Sequence, residues 1–310
     1  MRLASLIVAA SAVGLPAYAA VGPEIVTWVG NGPGWNDRLG VTLMRQGCDL
    51  APIDCLRRVT GAAKAQHVNR WAVAVKRDAT QWPGEALEYS QRSITEPLLV
   101  EIDIDDFLSA MKTWHVSTLG RANHVLDAVT RNVKHYNARL RFGITLYEDE
   151  LDSQLIAWIP TETRGRVDRV SLYLHYRANA ANYARYLADA RRLFPGADIW
   201  AGSYAYDRID YLPCDQSRRR RCSVDEEIAL YRESLRIQIG LLRDGSLAGI
   251  EFYPGFFGLE DQWQGWGNVR ICRPERRREC VENTRRMRAI AAEELETLRP
   301  VTGSPAAILR

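Results

Sequence analysis

"WVGNGPGWND", Trp28 to Asp37, is where two architectures part. It follows the first apolar run, "EIVTWV" (Glu24 to Val29), at the place where an open, doubly wound nucleotide-binding sheet would carry GxGxxG leading into a helix. Several glycines are present, but that spacing is not. Working outward, short apolar runs recur at "WAVAV" (Trp71 to Val75), "LLVEIDI" (Leu98 to Ile104), "FGITLY" (Phe142 to Tyr147), "VSLYLHY" (Val170 to Tyr176), "DIWAGSY" (Asp198 to Tyr204) and "GIEFY" (Gly249 to Tyr253). Amphipathic patterns lie between most of them. One runs from about Leu119 to Leu140, one is expected to be capped by Asn179, one follows the capping box of Ser223 and Glu226, and one spans Val281 to Leu298. This βα alternation predicts a parallel sheet closed as a (β/α)8 barrel over residues 20–310, with the eighth strand short or missed; the open sheet is the alternative.

In a barrel, residues of one parity point inward. That parity carries Glu101, Asp103 and Asp105 on one strand, then Thr145, Tyr147 and Asp149, then Ser171, Tyr173 and His175, then Glu251 and Tyr253. A barrel filled for stability alone would use branched apolar residues there. Buried unpaired carboxylates cost several kcal/mol each, so these acids must be paired, hydrated or gathered at the open C-terminal mouth. A structural reading stands beside this one: Asp149 and Glu150 would suit a helix N-terminus, and Asp105 and Asp106 could cap the turn before Phe107.

Two carboxylates across a cleft are what glycoside hydrolysis needs. On "LYEDE" (Leu146 to Glu150) and "IEFYPG" (Ile250 to Gly255) the chain resembles the TIM-barrel glycoside hydrolases, many of which place one acid after strand four and another after strand seven. The Asn-Glu pair typical of the strand-four acid is replaced by Tyr147-Glu148. The resemblance implies Glu251 as nucleophile or base and Glu148 or Asp149 as proton donor. Asp103 and Asp105 are candidates for binding sugar hydroxyls, and Tyr147, Tyr204, Tyr206, Tyr253 and His175 for orienting carboxylate or substrate. Flat aromatic surfaces for sugar faces are expected from Trp28, Trp35, Trp82, Trp263 and Trp266 in the loops after strands.

Two other readings use the same residues. A barrel could hold a sugar or a cationic ligand without cleaving it, or Asp103, Asp105, Asp149 and Glu251, with His175, could ligate a metal. No HxH or HExxH spacing supports the metal, so neither metal nor cofactor is expected.

The first 19 residues have a basic start, an apolar run, Pro16 and Ala17-Tyr18-Ala19, the pattern of a secretory signal peptide, so the mature chain is expected in the periplasm or outside the cell. No later stretch is apolar enough to span a bilayer. A formal charge of +3 gives no reason to expect nucleic acid, and the basic runs "SRRRRC" and "RPERRREC" read as solvated loops. Six cysteines fall into close pairs, Cys48 with Cys55, Cys214 with Cys222 and Cys272 with Cys280, expected as disulfides pinning loops. A poly- or oligosaccharide is the expected partner, and oligomeric state is not legible.

Overall fold

The computed structural model describes residues 23–28, 33–47, 50–76, 78–116, 118–209, 212–214, 220–253 and 274–298. Eight parallel strands follow one another around a closed barrel: β1 (Glu24–Trp28), β2 (Leu43–Gly47), β3 (Trp71–Ala74), β4 (Leu99–Ile104), β5 (Arg141–Tyr147), β6 (Arg169–Tyr173), β7 (Asp198–Tyr204) and β8 (Gly249–Tyr253). β8 returns to pair with β1, placing Glu251 beside Val26. Around them the described helices are α1 (Pro33–Leu39), α2 (Pro52–Ala65), α3 (Trp82–Arg92), α4 (Phe107–Thr113), α5 (Leu119–His135), α6 (Gln154–Trp158), α7 (Thr161–Arg164), α8 (Tyr183–Leu193), α9 (Val224–Arg243) and α10 (Arg277–Glu296). No described helix is long and apolar enough to cross a membrane.

The strand that sequence reading passes over is β2, "LMRQG", because Arg45 and Gln46 break its apolar run. Both side chains are nonetheless buried. Its presence renumbers every later strand, so "LYEDE" follows β5 rather than the fourth strand and Glu251 sits on β8 rather than the seventh. The two remain three strands apart around the barrel, as strands four and seven are.

Outward residues such as Ile102, Ile144, Leu146, Leu172, Ile250 and Phe252 join the helices in the main apolar core. Each such side chain contributes roughly 1.5–3 kcal/mol by leaving water. The apolar cluster inside the barrel is small, with Val26, Leu43, Ala72 and Trp200 at its centre, so the rest of the interior falls to polar groups.

Local signals are mostly realised. Ser223 and Glu226 form the reciprocal cap of α9, with Glu226 N–H to Ser223 Oγ at 3.3 Å and Ser223 N–H to Glu226 Oε2 at 2.9 Å. Asn179, in contrast, lies in a 3-10 turn (Arg177–Asn182) and does not cap α8. Trp82 is a buried anchor rather than a mouth residue: it stacks on Phe107 and donates to the Lys76 carbonyl at 2.7 Å. Cys214 and Cys222 form a disulfide packed on Ile209. Cys280 is disulfide-bonded too; Cys48 and Cys272 lie outside the described residues, and Cys55 is buried on α2. The proposed signal peptide also lies outside them.

Candidate active site

Within the strands Glu101, Asp103 and Glu251 lie inside the barrel as their parity suggests and meet two arginines that were not foreseen, whereas Asp149, counted inward from the sequence, lies past β5 in the turn Glu148–Glu150 and is exposed. Arg45 of β2 and Arg169 of β6 are completely buried among Glu101, Asp103 and Glu251. Glu251 accepts from five donors: Arg45 Nη1 at 2.8 Å, Trp28 Nε1 at 2.7 Å and Tyr173 Oη at 2.6 Å on one oxygen, and Arg169 Nη1 and Ser171 Oγ at 3.0 Å each on the other. Glu251 therefore lies inside the barrel, fully enclosed, and not at its open end. One layer lower, Arg141 closes the N-terminal end with Glu24 and Asp198 at 3.1 and 3.0 Å.

Three carboxylates facing two enclosed guanidinium groups leave charge to be settled by protons. Burial pushes Glu101 up to about 7 although Arg141 and Arg45 oppose it. Burial also holds Asp103 well above the usual range, against the pull of Arg45. For Arg45, burial works to lower the pKa, but Asp103, Glu251 and Glu101 together more than reverse it. Removing either arginine would strand acids in a medium that cannot solvate them.

Two glycines make this crowding feasible. A side chain at Gly143 would strike the Arg169–Asp103 pair, and one at Gly202 would overlap the ring of Tyr173. With Gly202 bare, Tyr173 lies across the barrel and covers Glu251 from the mouth side.

Above that lid the wall is aromatic. Trp28 meets Tyr253 edge-on at 5.4 Å, and Tyr253 meets Tyr204 at 5.9 Å and Tyr206 at 6.5 Å. Tyr204 packs on Tyr173 at 5.0 Å, Tyr173 on Tyr147 at 6.2 Å, and His175 stacks flat on Tyr147 at 3.8 Å. Hydroxyls link the rings: Tyr204 donates to Tyr147 at 3.0 Å, and Tyr147 donates to Asp106 at 2.6 Å. Asp106 occupies the N-cap position of α4 with a left-handed φ of 48° and makes no capping bond, so its carboxylate serves the tyrosine instead.

The three acids after β5 have separate tasks. Glu148, only 5% exposed, accepts from the backbone N–H of His175 (2.7 Å) and Tyr176 (3.1 Å) and from Asn179 Nδ2 (3.0 Å). It therefore holds the loop after β6, a positioning part at odds with the proton donor expected of it. Glu150 reaches back to the N–H of Tyr147 at 3.1 Å, and burial pushes its pKa up to about 7. Asp149 is the exposed one, and its Oδ1 lies 2.9 Å from His175 Nδ1. Burial alone would lower the His175 pKa; the bond to Asp149 and the charges of Asp149, Glu148 and Glu150 raise it.

Asp105 is half-buried at the end of β4. Asp103 is one layer too deep to meet a ligand at the rim and is tied to Arg169 and Arg45. The metal set read from the sequence is likewise not assembled, since Asp103 and Glu251 are engaged by arginines. Among the described residues the acids and histidine that converge are Glu148, Asp149 and His175, whose ligand atoms fall within 4.8 Å of one another, yet Glu148 already accepts three hydrogen bonds. Trp263 and Trp266 lie outside the described residues, as does the side chain of Trp35. Sequence reading missed Arg45, Arg169, Gly202 and the part of Asp106; a charged residue at an inward position opposite strand acids is the signal that could have found the arginines.

No protein-family model matches the chain, and no curated protein matches it. Solved structures do. A glucosidase from Croceicoccus marinus aligns with a TM-score of 0.56 over 90% of this chain and 69% of its own, at 12% identity. The exo-beta-1,4-mannosidase Op5Man5 from Opitutaceae bacterium strain TAV5 aligns with a TM-score of 0.57 over 89% of this chain at 9% identity, and this chain spans 60% of its length. The closed eight-stranded barrel is thus similar in fold to those of glycoside hydrolases.

Proposed function

We propose that the protein is a glycoside hydrolase acting on an oligo- or polysaccharide at the C-terminal mouth of its barrel. The observation that carries this reading is the continuous aromatic wall of Trp28, Tyr253, Tyr204, Tyr206, Tyr173, Tyr147 and His175, bordered by Asp105, Asp106 and Asp149. Aromatic faces hold sugar rings, and carboxylates at the edge supply the acid and base that glycosidic cleavage needs. Asp149 is the proton donor in this reading: it is exposed, and its Oδ1 lies 2.9 Å from His175 Nδ1. Asp106, which holds the Tyr147 hydroxyl, is the partner carboxylate. Glu251, paired with Arg45 and Arg169, holds the Tyr173 hydroxyl from behind and so fixes the floor of the mouth.

The test is a panel of bacterial and plant polysaccharides incubated with the purified protein, following new reducing ends. Cleavage that disappears in Asp149→Asn and Asp106→Asn, with folding intact, supports the assignment; cleavage unchanged in both overturns it. A second reading, carbohydrate binding without cleavage, is favoured by the saturation of Glu251 by five donors, which leaves it no free lone pair for attack. Binding without new reducing ends would select that reading. We also propose an exported location, supported by the Cys214–Cys222 disulfide and by the leader-like start of the chain. Fractionation of cells expressing the full chain tests it: recovery of the protein in the cytoplasm, with its N-terminus uncut, would overturn it.

A further inference from the structure

The hydroxyl chain at the mouth has a direction. Tyr204 Oη lies 3.0 Å from Tyr147 Oη, which lies 2.6 Å from Asp106 Oδ1. A carboxylate only accepts, so the single Tyr147 proton goes to Asp106 and the Tyr204 proton goes to Tyr147. Two protons serve two hydrogen bonds, and none is left over. Both phenols keep those protons: burial holds Tyr147 and Tyr204 well above the ordinary tyrosine range, with Tyr204, Asp106 and Asp105 adding to the effect on Tyr147.

The chain is anchored at one end and open at the other. Asp106 holds its end from a left-handed backbone, φ 48°, a costly conformation for a residue with a side chain, and its carboxylate makes no capping bond to α4. Tyr147, in the middle, is 8% exposed and has His175 stacked on its ring. Tyr204 ends β7 at the mouth and is half-buried. Its ring is fixed by Tyr173, by Arg208 at 5.1 Å and by edge-on contacts with Tyr206 and Tyr253. Among the described residues none donates to the Tyr204 oxygen.

We propose that Tyr204 is a specificity-determining residue of the site, an oxygen that accepts a hydrogen bond and cannot give one, and that it reads a free sugar hydroxyl; this rests on the carbohydrate reading above. Sugar oxygens are of two kinds. A hydroxyl can donate to Tyr204, whereas a ring oxygen, a glycosidic oxygen or an etherified position only accepts and would set lone pairs against lone pairs. Tyr204 therefore selects a sugar left unsubstituted at one position and turns it so that this hydroxyl meets the end of β7. Asp106 acts here at a distance, because its charge sets the direction of both protons.

Neutron diffraction from the deuterated protein tests the direction without any ligand. The Tyr147 deuteron should point to Asp106 and the Tyr204 deuteron to Tyr147; a Tyr204 deuteron aimed elsewhere overturns the proposal. Calorimetric titration of the purified protein tests the reading of a hydroxyl. The probes are trisaccharides of glucose, N-acetylglucosamine, mannose, galactose and xylose, with their singly deoxygenated and singly fluorinated analogues, since fluorine can accept a hydrogen bond and cannot donate one. At one position both analogues should bind about tenfold more weakly than the parent, and Tyr204→Phe should erase that difference. In Tyr147→Phe the Tyr204 proton is released, so the fluorinated analogue should gain over the deoxygenated one, which a merely structural tyrosine would not produce. Fluorinated analogues that bind as tightly as the parent at every position, or a penalty that persists in Tyr204→Phe, overturn the proposal and leave the carbohydrate reading standing. Absence of binding by every parent trisaccharide overturns both. If Tyr147→Phe fails to fold, Tyr204→Phe and the deuteron positions decide.

Discussion

Gly202 shows how a residue without a side chain can set the position of one with a large one. Replacing it with alanine puts a methyl group into the Tyr173 ring, which must leave its seat over Glu251. Gly202→Ala is expected to destabilise by about 1–3 kcal/mol, more than Tyr173→Phe, which keeps the ring and removes one hydrogen bond of roughly 1 kcal/mol. Urea denaturation of both variants checks the order. The arginines are more sensitive still. Arg169→Met should cost about 3–5 kcal/mol, and adding Asp103→Leu should recover part of that loss because the second change removes a stranded charge. A double-mutant cycle reads this directly, and no recovery would contradict the pairing. At this scale the acids were legible in sequence because strand alternation exposes their parity. The arginines were not, because their burial depends on partners delivered from β4 and β8, far away in the chain.

Among the elements, the turn after β5 is the most informative. Its three acids could equally well have been a helix start or the edge of a site, and the structure divides them: Glu150 caps, Glu148 ties down the loop after β6, and Asp149 faces outward with His175. Glu148→Gln keeps the shape and weakens charge-assisted bonds from two backbone N–H groups, with an expected cost of about 1–3 kcal/mol. It should also move the titration of His175, which NMR would follow; an unchanged His175 midpoint would mean that the loop does not depend on this anchor. Helices α5, α9 and α10 were readable from periodicity and caps, since those signals are local. β2 was not readable, because a strand whose centre is Arg45 resembles a loop until its ion partners are known.

For the whole molecule, the enclosed acids tie stability to pH. Glu101 and Glu150 bind protons more tightly folded than unfolded, each shifted from 4.5 to about 7. Stability is therefore expected to fall as pH rises across that interval and to level off above it. His175, raised by Asp149, adds a contribution of the same sign, present at low pH and lost as pH rises through its folded value. Urea midpoints measured across this interval check the slope, and Glu101→Gln should flatten it. Reducing Cys214–Cys222, separated by 8 residues, should cost about 2–3 kcal/mol on chain-entropy grounds, readable as a lower urea midpoint in the presence of reductant. The ion cluster also constrains how the barrel can be made. Arg45 comes early in the chain, Arg169 midway, and Glu251, with its five donors, near the end. A chain synthesised only as far as α9 holds two guanidinium groups in the place of a core with Glu101 and Asp103 but without Glu251, the third carboxylate that faces both. The last strand thus works as a completion signal: closure becomes favourable when β8 arrives, and partial chains stay open to chaperones and proteases.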